Sequence, residues 1–503
     1  QSLQSLPGRT STVNGACMTT SFGSRIPRPY QVLSLTATAT FLVSLDVSIV
    51  VVAKRTIEAD LGGGSLITWV FSAYAIAYAA GLLTAGRFAD VYGRKRSFLR
   101  GLFIFSVGSL LCGISPTTWV LILARIIQAM GGAQLTPASI ALVLPEFPVE
   151  KRTQAIAIWG ATGGLAAALG PSVGGILVDL LGWRSLFFIN IPFTVVTILL
   201  GRKILHESKD PNAQRQVDYP SVVFGFTGVA LVVLGISQSE AWGWTDTKTL
   251  GSIALGIILV ALFVQRCRVV TSPLLDLKLF RLPFVLAANL SGLLFSVGFI
   301  GMWLLNTFWL QAVWGYGVAQ SGLATMPGPA MAALVAPFAG KYAHKFGHAR
   351  ILLAGSIMLS IGTFGLTTFI PIEPSYLTHY LPWMILTGFG VGLSISTLSS
   401  SATAYLKPTQ FAMGSALNTT ARQIGTALGA ALSLAIAAPA LGRIEAARRA
   451  GTSLDLVDVK EMHVAWIMNG FVYLVAGITM ITIFRKPTEA QMDDARAAVK
   501  FED

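Results

Sequence analysis

The chain has 503 residues, of which 53% are hydrophobic and 12% are charged, with a net charge of +13 and a mean hydropathy of +0.67. A soluble protein would carry about 25% charged residues. The apolar residues fall in runs of roughly 20, which match the thickness of the hydrocarbon core of a bilayer. This composition excludes an ordinary soluble protein and predicts an all-α polytopic membrane protein.

Residues 1–30 form a polar arm that is rich in Ser, Thr and Gly and lacks the apolar core of a signal peptide. We expect this arm to be disordered and cytoplasmic; a natural start at Met18 would leave the first 17 residues outside the native protein. The three cysteines (Cys17, Cys112 and Cys267) are odd in number and widely spaced, so they imply no disulfide framework and no metal site. The five histidines are scattered, and we expect no metal and no cofactor. No phosphate-binding G-x-x-x-x-G-K-[ST] loop occurs, so we expect no use of ATP.

Fourteen apolar runs are long enough to span a bilayer. They are 32–53, 65–85, 98–115, 117–143, 153–179, 183–201, 219–237, 249–265, 284–313, 320–339, 351–371, 378–402, 411–438 and 463–484.

The cations divide unevenly between the two sides of this predicted topology. With both termini in the cytoplasm, the inward segments carry 26 Lys and Arg and the outward segments carry 8. Such an excess of inward cations is the usual signature of orientation in membrane proteins. The inward cations favour anionic membrane lipid, so the positive net charge does not imply binding to nucleic acid.

The chain contains a half-length repeat. The stretch "GRFADVYGRKR" (86–96) follows span 2, and a worn copy, "GKYAHKFGHAR" (340–350), follows span 10. Two six-span halves would place the copy after span 8, so two extra spans must lie between them. The predicted segments are an arm at 1–30, an N-terminal six-helix bundle at 31–202, a linker at 203–218, an inserted helix pair at 219–265, a linker at 266–283, a C-terminal six-helix bundle at 284–486 and a cytoplasmic tail at 487–503.

Four stretches resemble motifs of the major facilitator superfamily, and within it those of the fourteen-span drug:proton antiporters. They are "GRFADVYGRKR", "ARIIQAMGGAQLTPAS" (124–139), "GPSVGG" (170–175) and "SLDVSIVVVA" (44–53). The resemblance covers roughly residues 30–485 and implies two helical bundles that rock about a central site. Two departures are that Ala157 and Ala166 replace glycines of the antiporter motif, and that His344 stands where the first loop has Asp90.

Asp46 is the acid placed well inside an apolar span, where a carboxylate costs about 2.5–3.5 kcal/mol on insertion scales. It lies about 10 Å from the outer end of span 1, and Arg125 lies about 12 Å from the outer end of span 4. Burial favours the neutral acid and a nearby arginine favours the carboxylate. Asp46 with Arg125 could therefore load and release a proton; the alternative is a static structural pair.

The resemblance implies that Asp90 contacts a helix N-terminus and latches the two bundles in an outward-open state. Arg94 would orient this carboxylate, and Gly86 and Gly93 complete the predicted gating motif. The alternative is a solvated loop whose cations only set the topology.

The antiporter-like motif forms a helix face that carries almost no side chains; its residues are Gly170, Pro171, Gly174 and Gly175. Small residues allow helix backbones to approach closely, and proline removes a backbone donor. We expect either a hinge or seal between the bundles or ordinary close packing.

Four residues are candidates for a substrate cavity: Tyr74, Trp303, Trp309 and Arg422. Aromatic faces attract lipophilic cations. Arg422 lies within span 13 and could face the cavity of the second bundle or pair locally.

The sequence thus predicts proton-coupled efflux of lipophilic, cationic drugs or toxic compounds by alternating access. The protein is expected to be a monomer in the inner (cytoplasmic) membrane, with both termini cytoplasmic, and not to be an enzyme. The alternative is an exporter of one specific endogenous lipid or metabolite. A receptor fits less well because it need not have the repeat, and a membrane enzyme because the sequence shows no clustered catalytic set. A channel fits less well because the two-bundle repeat favours rocking motion over a fixed pore.

Overall fold

The computed structural model describes residues 26–208, 218–270, 273–403, 405–407, 410–454 and 457–485. Over these ranges the secondary structure is helical throughout, without a strand. Most of the predicted arm (1–25), part of the first linker (209–217) and the predicted tail (487–503) lie outside the described residues.

Fourteen long helices account for the predicted spans. They are α1 (Arg28–Val52), α2 (Ile67–Tyr92), α3 (Arg94–Gly113), α4 (Thr118–Val143), α5 (Val149–Leu181), α6 (Asn190–Ile204), α7 (Tyr219–Trp242), α8 (Thr247–Val269), α9 (Pro283–Phe308), α10 (Pro327–Phe346), α11 (His348–Phe369), α12 (Leu381–Thr403), α13 (Phe411–Ala450) and α14 (Lys460–Ile483).

Thirteen helices are long and apolar enough to cross a membrane where the chain is described without a break, and α5 is a further long helix. Its 33 residues are rich in Gly and Ala, as in "GATGGLAAALG". The helix packs against α1 in its own half and against α10 and α12 in the other. A helix with neighbours on several sides needs small residues for close approach more than it needs large apolar ones. The fold class is therefore confirmed as an all-α membrane protein with about fourteen spans.

The largest boundary difference is at α13, which was predicted to end at residue 438 and continues to Ala450. Its 40 residues span about 60 Å, twice the thickness of a bilayer core. The sequence-based prediction ended the span where arginines begin and hydropathy falls. The helix continues because the alanine-rich sequence favours helical backbone. Arg448 in this extension donates from Nε to the Ala312 carbonyl at 2.8 Å.

Helices α1–α6 and α9–α14 form two halves of related packing. Within the first half α3 packs on α4, α1 on α5 and α2 on α4; within the second half α11 packs on α12, α9 on α13 and α10 on α12. The halves meet along α2–α13, α5–α10, α5–α12 and α4–α13. The contacts between the halves are therefore equivalent in the two repeats, since α2–α13 corresponds to α10–α5 and α4–α13 corresponds to α12–α5.

The inserted helices α7 and α8 pack on each other and on one side of this interface. A side chain on Gly256 of α8 would meet the Val232 backbone nitrogen of α7 at 2.8 Å, so the two helices approach closely. Arg266 donates two hydrogen bonds, at 2.7 and 2.8 Å, to the carboxylate of Asp218, which precedes α7. These bonds lower the pKa of Asp218. Because α7 also contacts α2 and α13, the pair covers one edge of the junction between the halves.

The two halves touch at the end of the bundle that carries residues 86–96 and 340–350, here called the charged end. Gly86 of α2 lies directly against α13. A Cβ atom at Gly86 would be 2.8 Å from the Ala416 Cβ and 3.1 Å from the Ala412 carbonyl oxygen. The absence of a side chain at Gly86 allows this contact.

The repeat places Gly340 of α10 in the equivalent contact with α5. A Cβ atom there would be 2.9 Å from both the Thr153 carbonyl oxygen and the Ala157 Cβ. Each copy of the repeated loop therefore begins with a glycine that packs against the opposite half, and the charged end is closed in this structure.

We predict opposite signs for two glycine-to-alanine changes in helix interiors. Gly86→Ala should lower the thermal unfolding temperature, because overpacking costs about 1–3 kcal/mol. Gly442→Ala on α13, where a Cβ would have no neighbour within 4 Å, should leave it unchanged or raise it. Thermal unfolding in detergent measures both, and an equal rise for the two variants would rule out the contact between the halves at Gly86.

Candidate functional site

The carboxylate of Asp46 on α1 lies in a closed cage of hydrogen-bond donors, and its residue is fully buried. Oδ2 accepts from Nη1 of Arg125 on α4, so the two residues predicted to lie at similar depth form an ion pair. Oδ1 accepts from Gln128 Nε2 at 2.7 Å and from Asn190 Nδ2 at 3.1 Å. Both carboxylate oxygens therefore accept hydrogen bonds from buried donors.

A second layer positions these donors. Ser109 Oγ of α3 accepts from Gln128 at 3.1 Å and from Asn190 at 3.0 Å, and it donates to the Phe187 carbonyl at 2.9 Å. Arg125 Nη1 also donates to Gln128 Oε1 at 2.6 Å. The site thus joins α1, α3, α4 and α6, and it lies inside the N-terminal half.

Tyr74 of α2 covers Arg125. The Tyr74 ring centroid is 4.0 Å from the Arg125 guanidinium carbon, a cation–π contact. Tyr74 also stacks on Tyr78 with ring centroids 6.1 Å apart, and the Tyr78 hydroxyl is 2.8 Å from Thr136 Oγ1. The Tyr74 residue is 3% exposed, so in this structure it belongs to the cage and is not an open cavity wall.

Two buried polar atoms beside the ion pair have no hydrogen-bond partner among the residues that the structure describes: Tyr74 Oη and Asn190 Oδ1. Buried polar groups in proteins are normally satisfied by protein or by ordered water. These two atoms are therefore the points at which water or a proton carrier could reach the cage.

The sequence did not single out Gln128, Asn190 or Ser109. Gln128 lies three residues after Arg125, which places both on one face of a helix, and this spacing could have indicated it. Asn190 is an amide at the start of a helix, and Ser109 is a residue type that membrane helices commonly contain. Neither carries a distinguishing signal in the sequence.

At the charged end, Asp90 accepts from Arg94 Nη2 at 3.1 Å, and both side chains are buried. Gly93 connects the two helices with φ of 109°, a conformation that favours glycine. The Glu207 carboxylate accepts from the backbone nitrogens of Lys95 and Arg96 at 3.1 Å each. Glu207, which the sequence analysis did not identify, thus caps the N-terminus of α3 and fixes this loop.

The small residues of the antiporter-like motif pack inside one half. A side chain at Gly170 would collide with Ser48 of α1, and one at Gly174 would be 3.1 Å from the Ile49 carbonyl oxygen. A Cβ atom at Gly175 would meet no atom of another described segment within 4 Å, and the Pro171 side chain lies outside the described residues. Gly170 and Gly174 thus allow close packing of α5 on α1.

Trp309, which the sequence predicts as a cavity candidate, packs against other aromatic side chains in this structure. It is fully buried, and its ring centroid is 5.3 Å from that of Trp466 and 5.6 Å from that of His463. The span is apolar all round, so its periodicity could not show which side faces inward. Trp303 is partly exposed and remains a candidate.

Arg422 is partly buried and differs from the buried cations described above. Its Nε is buried without a partner, and its side chain forms no ion pair or hydrogen bond within the described part of the chain. It lies eleven residues into α13, or about 16 Å from the charged end, near the middle of a bilayer core. A charged arginine at this depth costs about 2.5–3.5 kcal/mol on insertion scales, so it requires water or a partner.

We predict that Arg125→Gln lowers stability by about 3–5 kcal/mol, because it leaves the Asp46 carboxylate buried and unpaired. The double variant Asp46→Asn/Arg125→Gln should recover part of that loss. Arg449→Gln, which breaks an exposed pair with Glu445, should cost less than about 1 kcal/mol. Thermal unfolding of the four proteins measures this; equal losses for Arg125→Gln and Arg449→Gln would contradict it.

Comparison with known proteins agrees with the motifs. A sequence model described as Major Facilitator Superfamily matches residues 36–430 and 297–501. The "Tetracenomycin C resistance and export protein" of Streptomyces glaucescens is 30% identical over 86% of this chain and 80% of its own length. The "Cephamycin export protein CmcT" of Amycolatopsis lactamdurans is 32% identical over 80% of this chain and 84% of its own length.

Solved structures support the fold. The human organic anion transporter MFSD10 (TETRAN) superposes with a TM-score of 0.64 at 13% identity, covering 91% of this chain and 100% of that one. At such low identity the likeness shows the fold alone. Together with the family match over most of the chain, it confirms the resemblance drawn from the four motifs. The chain belongs to the Major Facilitator Superfamily, whose members are transporters rather than enzymes.

Proposed function

We propose that this protein exports lipophilic small molecules across the cytoplasmic membrane in exchange for protons. Its two halves would alternate access to a site between them, as parallel six-helix repeats do in this fold. Relatives named as export and resistance proteins, such as those for tetracenomycin C and cephamycin, support the direction of transport. The observation that carries the proton coupling is the buried Asp46–Arg125 pair.

Asp46 would be the proton carrier. In the cage its charge is balanced by Arg125 and by two amide donors. Protonation would remove the charge, weaken the hold on Arg125 and allow Tyr74, which lies over that guanidinium, to move. Water at Tyr74 Oη or Asn190 Oδ1 would provide the route for the proton. The alternative is that the pair only stabilises the N-terminal half.

The charged end would act as the cytoplasmic gate, since positive-inside orientation places its loops in the cytoplasm. Gly86 packs against α13, and Gly93, Asp90 and Arg94 shape the turn that follows. Opening toward the cytoplasm would require α2 to part from α13 and α10 to part from α5. The protein would do this as a monomer, in contact with membrane lipid.

The substrate class is less restricted than the aromatic residues suggested. Of the predicted cation-attracting rings, Tyr74 already has Arg125 on its face and Trp309 is stacked in the C-terminal half. The argument for cationic cargo therefore rests on Trp303 alone. Export of one specific endogenous lipid or metabolite remains the second candidate.

Proteoliposomes test the coupling. With an imposed pH gradient, the wild-type protein should accumulate rhodamine 123, fluorescein or both. Asp46→Asn should abolish accumulation driven by the gradient but retain downhill exchange of the same dye, because the binding site remains while the proton carrier is lost. Vesicle dye content is measured by fluorescence.

Asp179→Asn, which neutralises an exposed acid on α5, is the matched control and should behave as wild type. Full gradient-driven accumulation by Asp46→Asn would remove Asp46 from the mechanism. Failure of the wild-type protein to respond to the gradient with either dye would remove proton coupling.

A further inference from the structure

Arg422 presents a positive charge at the junction of the two halves, and no acid of the described residues pairs with it. The helices packed around α13 include α2, α4, α7, α9, α12 and α14. Their acids are Asp90 at the charged end of α2, Glu240 near the far end of α7 and Glu461 in the first turn of α14. None is near the middle of its helix, where Arg422 lies.

The surroundings hold the arginine in place without neutralising it. Gly292 of α9 lies beside its stem, since a Cβ there would be 3.4 Å from Arg422 Cγ and 3.4 Å from Asn418 Nδ2. Across the interface, Tyr78 of α2 is close enough to interact with its charge. The Tyr78 hydroxyl is itself paired with Thr136. The groups facing Arg422 are neutral, and they come from both halves.

The contrast with Arg125 is informative. Both arginines lie at mid-depth in apolar helices, but Arg125 has a carboxylate, an amide oxygen and an aromatic ring as partners. Arg422 has none of these. An unpaired guanidinium inside a membrane protein is stabilised when an anion arrives, and its planar fork suits a carboxylate or an ionised phenol.

We propose that Arg422 binds the anionic group of the transported molecule, so that the cargo is a lipophilic acid rather than a lipophilic cation. The inference rests on the proposed export function and names its substrate class. Tyr78 and Asn418 would border the site, and the position between the halves would let bound cargo contact both of them.

A matched pair of dyes tests the charge preference. Fluorescein and rhodamine 123 share a xanthene core, but fluorescein is an anion and rhodamine 123 a cation near neutral pH. Fluorescence anisotropy with the purified full chain in detergent should show fluorescein binding to the wild type. Arg422→Gln should weaken that binding by about tenfold or more, the usual effect of losing a charged hydrogen bond. Rhodamine 123 should bind to Arg422→Gln at least as tightly as it binds to the wild type.

Arg202→Gln is the control, because it removes one exposed cation from the end of α6. It should leave fluorescein binding unchanged. Arg422→Lys, which keeps the charge without the fork, should lie between the wild type and Arg422→Gln; it decides the question if Arg422→Gln does not fold. In that case, weaker binding of fluorescein but not of rhodamine 123 supports the site, and unchanged fluorescein binding overturns it.

Three results overturn the proposal: no fluorescein binding by the wild type, unchanged fluorescein binding by a folded Arg422→Gln, or equal losses for both dyes. The measurement uses no proton gradient. A negative result here therefore leaves proton coupling by Asp46 intact, and a negative result for Asp46→Asn leaves the anion site intact.

Discussion

The structure depends on one constraint: a charge inside a membrane protein needs an opposite charge, a set of dipoles or water. Asp46 and Arg125 satisfy each other in the middle of the N-terminal half. Asp90 and Arg94 do the same at the charged end. Around each pair the chain supplies glycines and short polar side chains, because only close helix packing can bring donors from several helices to one carboxylate. In this fold the buried charges therefore depend on close helix packing for their stabilisation.

Most of the fold could be predicted from the sequence because a bilayer requires apolar runs of a fixed length. The half-chain repeat also indicated equivalent positions in the two halves, since Gly86 and Gly340 each contact the opposite half. Helix ends were harder to predict. The α13 extension continues past Pro439 to Ala450 because helix propensity persists after hydropathy has ended.

At the site, Asp46 and Arg125 could be predicted because charges stand out in apolar runs. Asn190 could not, because an amide in a membrane helix has no unusual cost once it finds a partner, and that partner is set by the tertiary structure. The aromatic residues show a related difficulty. In a span that is apolar all round, the sequence does not show which face of the helix points inward, so the contacts of Trp309 with Trp466 and His463 could not be predicted.

The two mid-depth arginines bear on the energetics of transport. Exchange of one proton for one monovalent cation moves no net charge and draws on the pH gradient alone. Exchange of an inward proton for an outward monovalent anion moves two positive charges inward. Each charge is worth about 2.3 kcal/mol per 100 mV, so a potential that is negative inside would assist anion export twice over. If Asp46 carries the proton and Arg422 holds the acid, the chain places the two charges on opposite halves, and their relative motion couples both to the membrane potential.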